Sequence, residues 1–123
     1  MRKEGPQTLS IPETILPNAF YLAGSWTFTP EYAENTSAAK IVYKYSAKNV
    51  YLVASSDKGV TLTILRDGKP VGAAGGKDVG SDGKVRVQED RLYHLIGDDG
   101  YGEHTLEIRI EGPELKAYTF TFG

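Results

Sequence analysis

Apolar residues along this chain recur at every second position over short runs, the spacing of a strand with one buried face. In residues 40–46, Ile41, Tyr43 and Tyr45 share one face while Val42 and Lys44 share the other. Residues 60–64 alternate apolar side chains with threonine, and the Asp67-Gly68 pair that follows predicts a tight hairpin turn with two positive φ angles. Residues 105–110 place Leu106, Ile108 and Ile110 inward against Thr105, Glu107 and Arg109, and residues 117–122 repeat the pattern with an aromatic inner face. Weaker alternation at 25–29, 50–54, 84–88 and 92–96 brings the total to about eight strands. No stretch carries a helical stripe of about ten residues or more. The chain therefore reads as all-β. Strands with one wet face pair antiparallel, and this number over this length fits a two-sheet β-sandwich or jelly roll.

The 14 glycines and six prolines fall mostly between these runs, as turn punctuation should. The 123 residues bound one domain, residues 14–123, preceded by an arm or inter-domain linker over residues 1–13. A chain of this size removes roughly two-thirds of its unfolded surface from water, enough for a core without staples. It needs none from sulfur, since it contains no cysteine, which excludes disulfides, thiolate metal sites and thiol chemistry. A net charge of −2 argues against a dedicated nucleic-acid surface, and nothing in the sequence is apolar for long enough to insert directly into a membrane. No signal peptide is visible, which leaves export of a longer parent open.

Few residues could carry chemistry. His94 and His104 are the two imidazoles, neither in a nucleophile motif; His94 sits in a strand and His104 follows a turn-forming Asp98-Asp99-Gly100. That cluster and the one from Asp78 to Asp82 could offer oxygens to a structural calcium ion, although their spacing matches no calcium loop and a turn explains them equally. No other cofactor is expected. Gly72-Ala73-Ala74-Gly75-Gly76-Lys77 lacks the Ser or Thr and the helix that a phosphate loop requires. Eight tyrosines, four phenylalanines and one tryptophan are the most suggestive content, because flat rings stack on sugar faces. Alternation assigns Trp26, Phe28, Tyr118, Phe120 and Phe122 to the core. Tyr32, Tyr51, Tyr93 and Tyr101 are left as candidate ligand-binding rings.

Leu16-Pro17-Asn18, Gly24-Ser25-Trp26-Thr27, Pro30-Glu31-Tyr32-Ala33, Asp67-Gly68-Lys69-Pro70 with Gly72-Ala73, Arg91-Leu92-Tyr93 and the final Ala117-Tyr118-Thr119-Phe120-Thr121-Phe122-Gly123 together carry a family resemblance. In their order and spacing they resemble the C-terminal domain of DipZ-like bacterial thioredoxin-family proteins over about residues 14 to 123. The resemblance implies a jelly-roll sandwich similar to a carbohydrate-binding module. It also implies an upstream thioredoxin fold that holds the redox cysteines, and an extracytoplasmic location. It transfers no ligand residues. The leading expectation is a non-catalytic accessory module that binds a saccharide. The competing one is a protein-interaction domain that packs on the parent's thioredoxin-like domain or on a redox partner. An enzyme ranks third, since nothing assembles convergent polar groups.

Overall fold

The computed structural model describes residues 5–11, 14, 16 and 20–123, with backbone only at positions 6, 7, 20, 73 and 99. Nine strands follow one another among the described residues: β1 Gly5–Leu9, β2 Phe20–Phe28, β3 Ala33–Asn35, β4 Ala39–Ser55, β5 Val60–Arg66, β6 Lys69–Pro70, β7 Lys84–Val87, β8 Arg91–Ile110 and β9 Lys116–Phe122. Among the described residues the only helical turn is a 3-10 turn at Gly72–Ala74. Every strand pairing is antiparallel, as the one-face alternation predicts. The predicted hairpin is present between β5 and β6, with Asp67 at φ 55° and Gly68 at φ 81°.

The architecture is set by two long strands, β4 with 17 residues and β8 with 20. They pair with each other at both ends, and β4 changes its other neighbour midway. Residues 39–47 of β4 pair with residues 102–110 of β8, and residues 40–43 also pair with the start of β2. With β5, β6 and β7 beyond β8, these form a first lobe. Residues 49–54 of β4 pair with residues 91–97 of β8 on one side, and residues 50–55 pair with β9 on the other. With β3, the end of β2, and β1, these form a second lobe. At the crossing, Lys48 alone on β4 faces residues 98–101 of β8, so β8 arches outward where the sequence reads as a turn.

The lobes share one buried cluster. It takes Ile41, Leu62, Ile64 and Ile108 from the first lobe and Trp26, Leu52, Leu95 and Leu115 from the second. Two layers closed on one core are the arrangement of a sandwich. Trp26 is wholly buried, and its indole N–H donates to the Ala23 carbonyl at 2.9 Å, so the ring's polar atom is satisfied. Asn35, also fully buried, ties β3 to the β8–β9 connection. Its amide nitrogen donates to the carbonyls of Ser37 (2.7 Å) and Gly112 (2.6 Å), and its side-chain oxygen accepts from the Leu115 N–H (2.7 Å).

Three sequence expectations meet a different outcome or a partial view. Within the proposed arm, residues 5–9 form β1 and pair with β2 from Gly5 opposite Phe28 to Leu9 opposite Gly24. Residues 1–4, 12 and 13 of that arm, and Pro17 and Asn18 of the Leu16 block, lie outside the described residues. Phe122, assigned to the core by alternation, is 39% exposed. Its inward phase holds, since it lies opposite the buried Val50 and 5.1 Å from the Tyr43 ring. The terminal strand simply runs out at the rim of the core there. Phe122→Ala should therefore cost about 1–2 kcal/mol, well under the roughly 3–5 kcal/mol of a fully buried ring, as read by urea denaturation.

Candidate binding face

Each lobe turns one face to the core and one outward, and the two outward faces differ in chemistry. On the first lobe, Lys40 lies opposite Arg109, Arg109 opposite Thr63, and Thr63 opposite Lys84. Lys44, Glu107 and Arg86 extend that face, and the Arg109 Nε donates to Glu107 at 2.6 Å. This face is rich in charge, with the buried Val42 and Leu65 flanking Glu107 beneath the longer charged side chains. On the second lobe, Thr119 and Thr121 of β9 lie opposite Val53 and Tyr51 of β4, which lie opposite Leu92 and His94 of β8. These six positions and the adjacent Ser55 include no Lys, Arg, Asp or Glu. Leu92, at 45% exposure, is the large apolar side chain most open to solvent on this face. With strands about 4.8 Å apart, the three strands make a flat patch roughly 10 Å wide.

One end of the patch is shaped by a β-bulge. Register passes from Val53 opposite Thr119 to Ala54 opposite Ala117, so Tyr118 is the extra residue, and such bulges re-aim a side chain. The Tyr118 hydroxyl reaches Ser55 Oγ at 3.5 Å, and Tyr32 packs edge-on against the Tyr118 ring at 5.5 Å. The Lys116 ammonium lies 5.5 Å from the Tyr32 ring centre.

The four candidate rings are not gathered. Tyr51 stands on the patch, stacked on His94 with 4.6 Å between ring centres. Tyr32 frames its bulged end. Tyr101, at 77% exposure, sits on the arch of β8, away from both. Tyr93 is not an exposed ring. It points to the core at 2% exposure, accepts from the Gln88 N–H at 3.1 Å and donates to the Glu89 carbonyl at 2.7 Å, so it closes the β7–β8 connection and offers nothing to a ligand. The residues that make the face, Val53, Leu92, Thr119 and Thr121, carry no signal of their own type. Their signal is contrast, since outward positions of the first lobe set Lys40, Lys44, Glu107 and Arg109 around Val42 and Leu65 while these stay uncharged.

Neither histidine is set up as a base. His94 Nδ1 accepts from the Lys77 N–H at 3.0 Å, which places its proton on Nε2, where it donates to Asn49 Oδ1 at 3.0 Å. Gly76 makes that approach possible, because a Cβ there would lie 2.3 Å from the His94 carbonyl oxygen. Asp78 completes the tie. It accepts from the His94 backbone N–H and from Arg91, both at 2.7 Å, and the Arg91 guanidinium holds its carboxyl below the usual carboxylate range. His104 Nδ1 donates to Asp67 at 2.7 Å across the β5–β6 hairpin. Burial pushes the Asp67 carboxyl up, but the Thr105 N–H and His104 outweigh it and leave it lowered. Among the described residues no Ser or Thr hydroxyl bonds to either ring, so the nucleophile of a triad is not in place.

The acidic clusters are similarly engaged. Asp78 is held as above, Asp82 accepts from the Lys84 N–H at 3.1 Å, and Asp98 accepts from Arg66 at 2.6 Å. Among the described residues no group of three or more His, Asp or Glu converges as metal ligands would, and no helix is long and apolar enough to cross a membrane. Among protein families, the model described as the thioredoxin-like C-terminal domain matches residues 1–123. No curated protein matches the chain.

Proposed function

The chain belongs to the thioredoxin-like C-terminal domain family, and we propose that it is a non-catalytic accessory domain that binds through the outward face of its second lobe. We take the occupant to be the thioredoxin-like domain of its parent, a DipZ-like protein acting outside the cytoplasm. The observation that carries this reading is the contrast between two sheet faces of one small domain. One bears Lys40, Lys44, Lys84, Arg86, Glu107 and Arg109, and the other bears Tyr51, Val53, Leu92, Thr119 and Thr121. A surface with uncharged, half-buried Tyr51 and Val53 in its middle, exposed Leu92 at one side and Lys116 at its border suits a protein interface, whose middle is depleted of charge. The lack of cysteine fits a division of labour in which the redox chemistry belongs to another domain.

A saccharide is the second reading. The hydroxyls of Thr119, Thr121, Ser55 and Tyr118 and the rings of Tyr51 and Tyr32 surround the face, and rings with flanking hydroxyls are what a sugar uses in a module similar to a carbohydrate-binding one. Titration of the labelled domain with the parent's thioredoxin-like domain should give saturable amide shifts at residues 51, 53, 92, 119 and 121. Leu92→Glu, at an exposed position, should weaken that association at least tenfold without unfolding the domain. No association with the thioredoxin-like domain, together with a saturable hit in a polysaccharide panel, would replace the first reading by the second. Loss of the hit in chelator would add calcium to the site.

A further inference from the structure

Between β2, β3, β4 and β9 lies a cavity of about 150 Å3 lined by Leu22, Ala33, Ile41, Leu52, Ala117, Tyr118, Thr119 and Phe120. Its inner walls are the inward side chains of Leu22, Ala33, Ile41, Leu52 and Ala117, and it meets the outward face only at its lip, where Tyr118 and Thr119 belong to both. Its back wall is fixed, with Leu52 fully buried and Ile41 at 1% exposure. Its lip is open, with Thr119 exposed and Tyr118 and Phe120 half-buried. Two features of the chain keep space there. Ala33 and Ala117 lie directly opposite each other across β3 and β9, where any larger aliphatic pair would project into the cavity. The bulge at Tyr118 turns that ring out of the regular alternation, and its position is held by Tyr32 edge-on and by Ser55.

Native cores are packed to near-crystalline density and keep few voids larger than a water molecule. A space of this volume, with an apolar floor and polar groups of Tyr118 and Thr119 at its open, bulged side, has the character of a binding site. An apolar cavity of about 150 Å3 lined by Leu, Ile and Phe holds benzene, and Leu22, Ile41, Leu52 and Phe120 supply such walls here, with Ala33 and Ala117 between them and Tyr118 and Thr119 at the lip. We propose that this cavity binds one compact apolar group, of the size of a benzene ring or a branched aliphatic side chain, which enters past Tyr118 and Phe120. The Thr119 hydroxyl and the main-chain groups of β9 at the lip give a polar rim for whatever the apolar group is attached to.

Methyl-labelled NMR spectra of the domain titrated with benzene test this directly. Saturable shifts confined to Leu22, Ala33, Ile41, Leu52 and Ala117 are expected. Ala117→Leu should weaken benzene binding at least tenfold, and Ala33→Val provides a second, smaller filling if the first variant does not fold. A parallel titration with a capped Gly-Leu-Gly peptide separates the two sources of such a group. Tighter binding of the peptide assigns the site to a side chain on a protein segment, and binding of benzene alone assigns it to a free small molecule. No shift up to the solubility of benzene, shifts scattered over the surface, or unchanged affinity in a folded filling variant would overturn the proposal. The outcome is independent of whether the outward face docks a partner.

Discussion

Replacing Asn35 by alanine should destabilise the domain by about 3 kcal/mol or more, a large effect for a polar residue. The side chain joins three backbone groups far apart in sequence: Leu115 N–H, Gly112 carbonyl and Ser37 carbonyl. Its own carbonyl takes a fourth, the Glu114 N–H at 2.9 Å. Truncation leaves the side chain's donor and acceptor partners unmatched in a site with no exposure, and each buried unmatched group costs about 1–3 kcal/mol. Glu114 holds a positive φ of 73° within the connection that Asn35 clamps, so the loop loses the tie that keeps it in an unfavourable backbone region. Asn35→Asp should be at least as damaging, because its carboxylate would face the two carbonyls that the amide nitrogen now serves. Urea denaturation of both variants checks this. A change below about 1 kcal/mol in Asn35→Ala would mean that water replaces the amide without cost.

Trp26→Ala should be the most destabilising single truncation of the core, at about 3–5 kcal/mol. The ring has no exposure and belongs to the cluster shared by both lobes, and its residue pairs with Gln7 of β1 and Asn35 of β3. Its removal therefore opens a cavity where three strands meet. A small domain has roughly 5–15 kcal/mol in total, so this variant should lose much of its cooperative margin. A thermal midpoint within a few degrees of the parent would show that the second lobe does not depend on this ring.

The strands and the hairpin were readable from sequence because a sheet with one wet face writes a period of two into the chain, and Asp67-Gly68 is a local signal with a local cause. Asn35 was not readable. It precedes Thr36, Ser37 and Ala38, which look like an ordinary loop, and two of its three side-chain partners lie 77 and 80 residues away. Phe122 has the phase of a core residue, but phase says nothing about where a core ends. The inward turn of Tyr93 is set by its pairing with Leu52 on β4, a fact of register. Of the face itself, Tyr51 and Tyr32 were visible as types, whereas Val53, Leu92, Thr119 and Thr121 became a surface only once three strands were laid side by side. The arch of β8 was hidden for a related reason, since glycines and aspartates that read as a stop also serve a strand that bends.

The two long strands that cross from one lobe to the other give the domain no internal seam. Neither lobe can lose its pairing while β4 and β8 remain intact, and neither strand can peel away without unzipping both layers at once. The two layers are thus coupled through the same pair of backbones, so denaturation of the domain is expected to be one cooperative transition seen alike in both lobes.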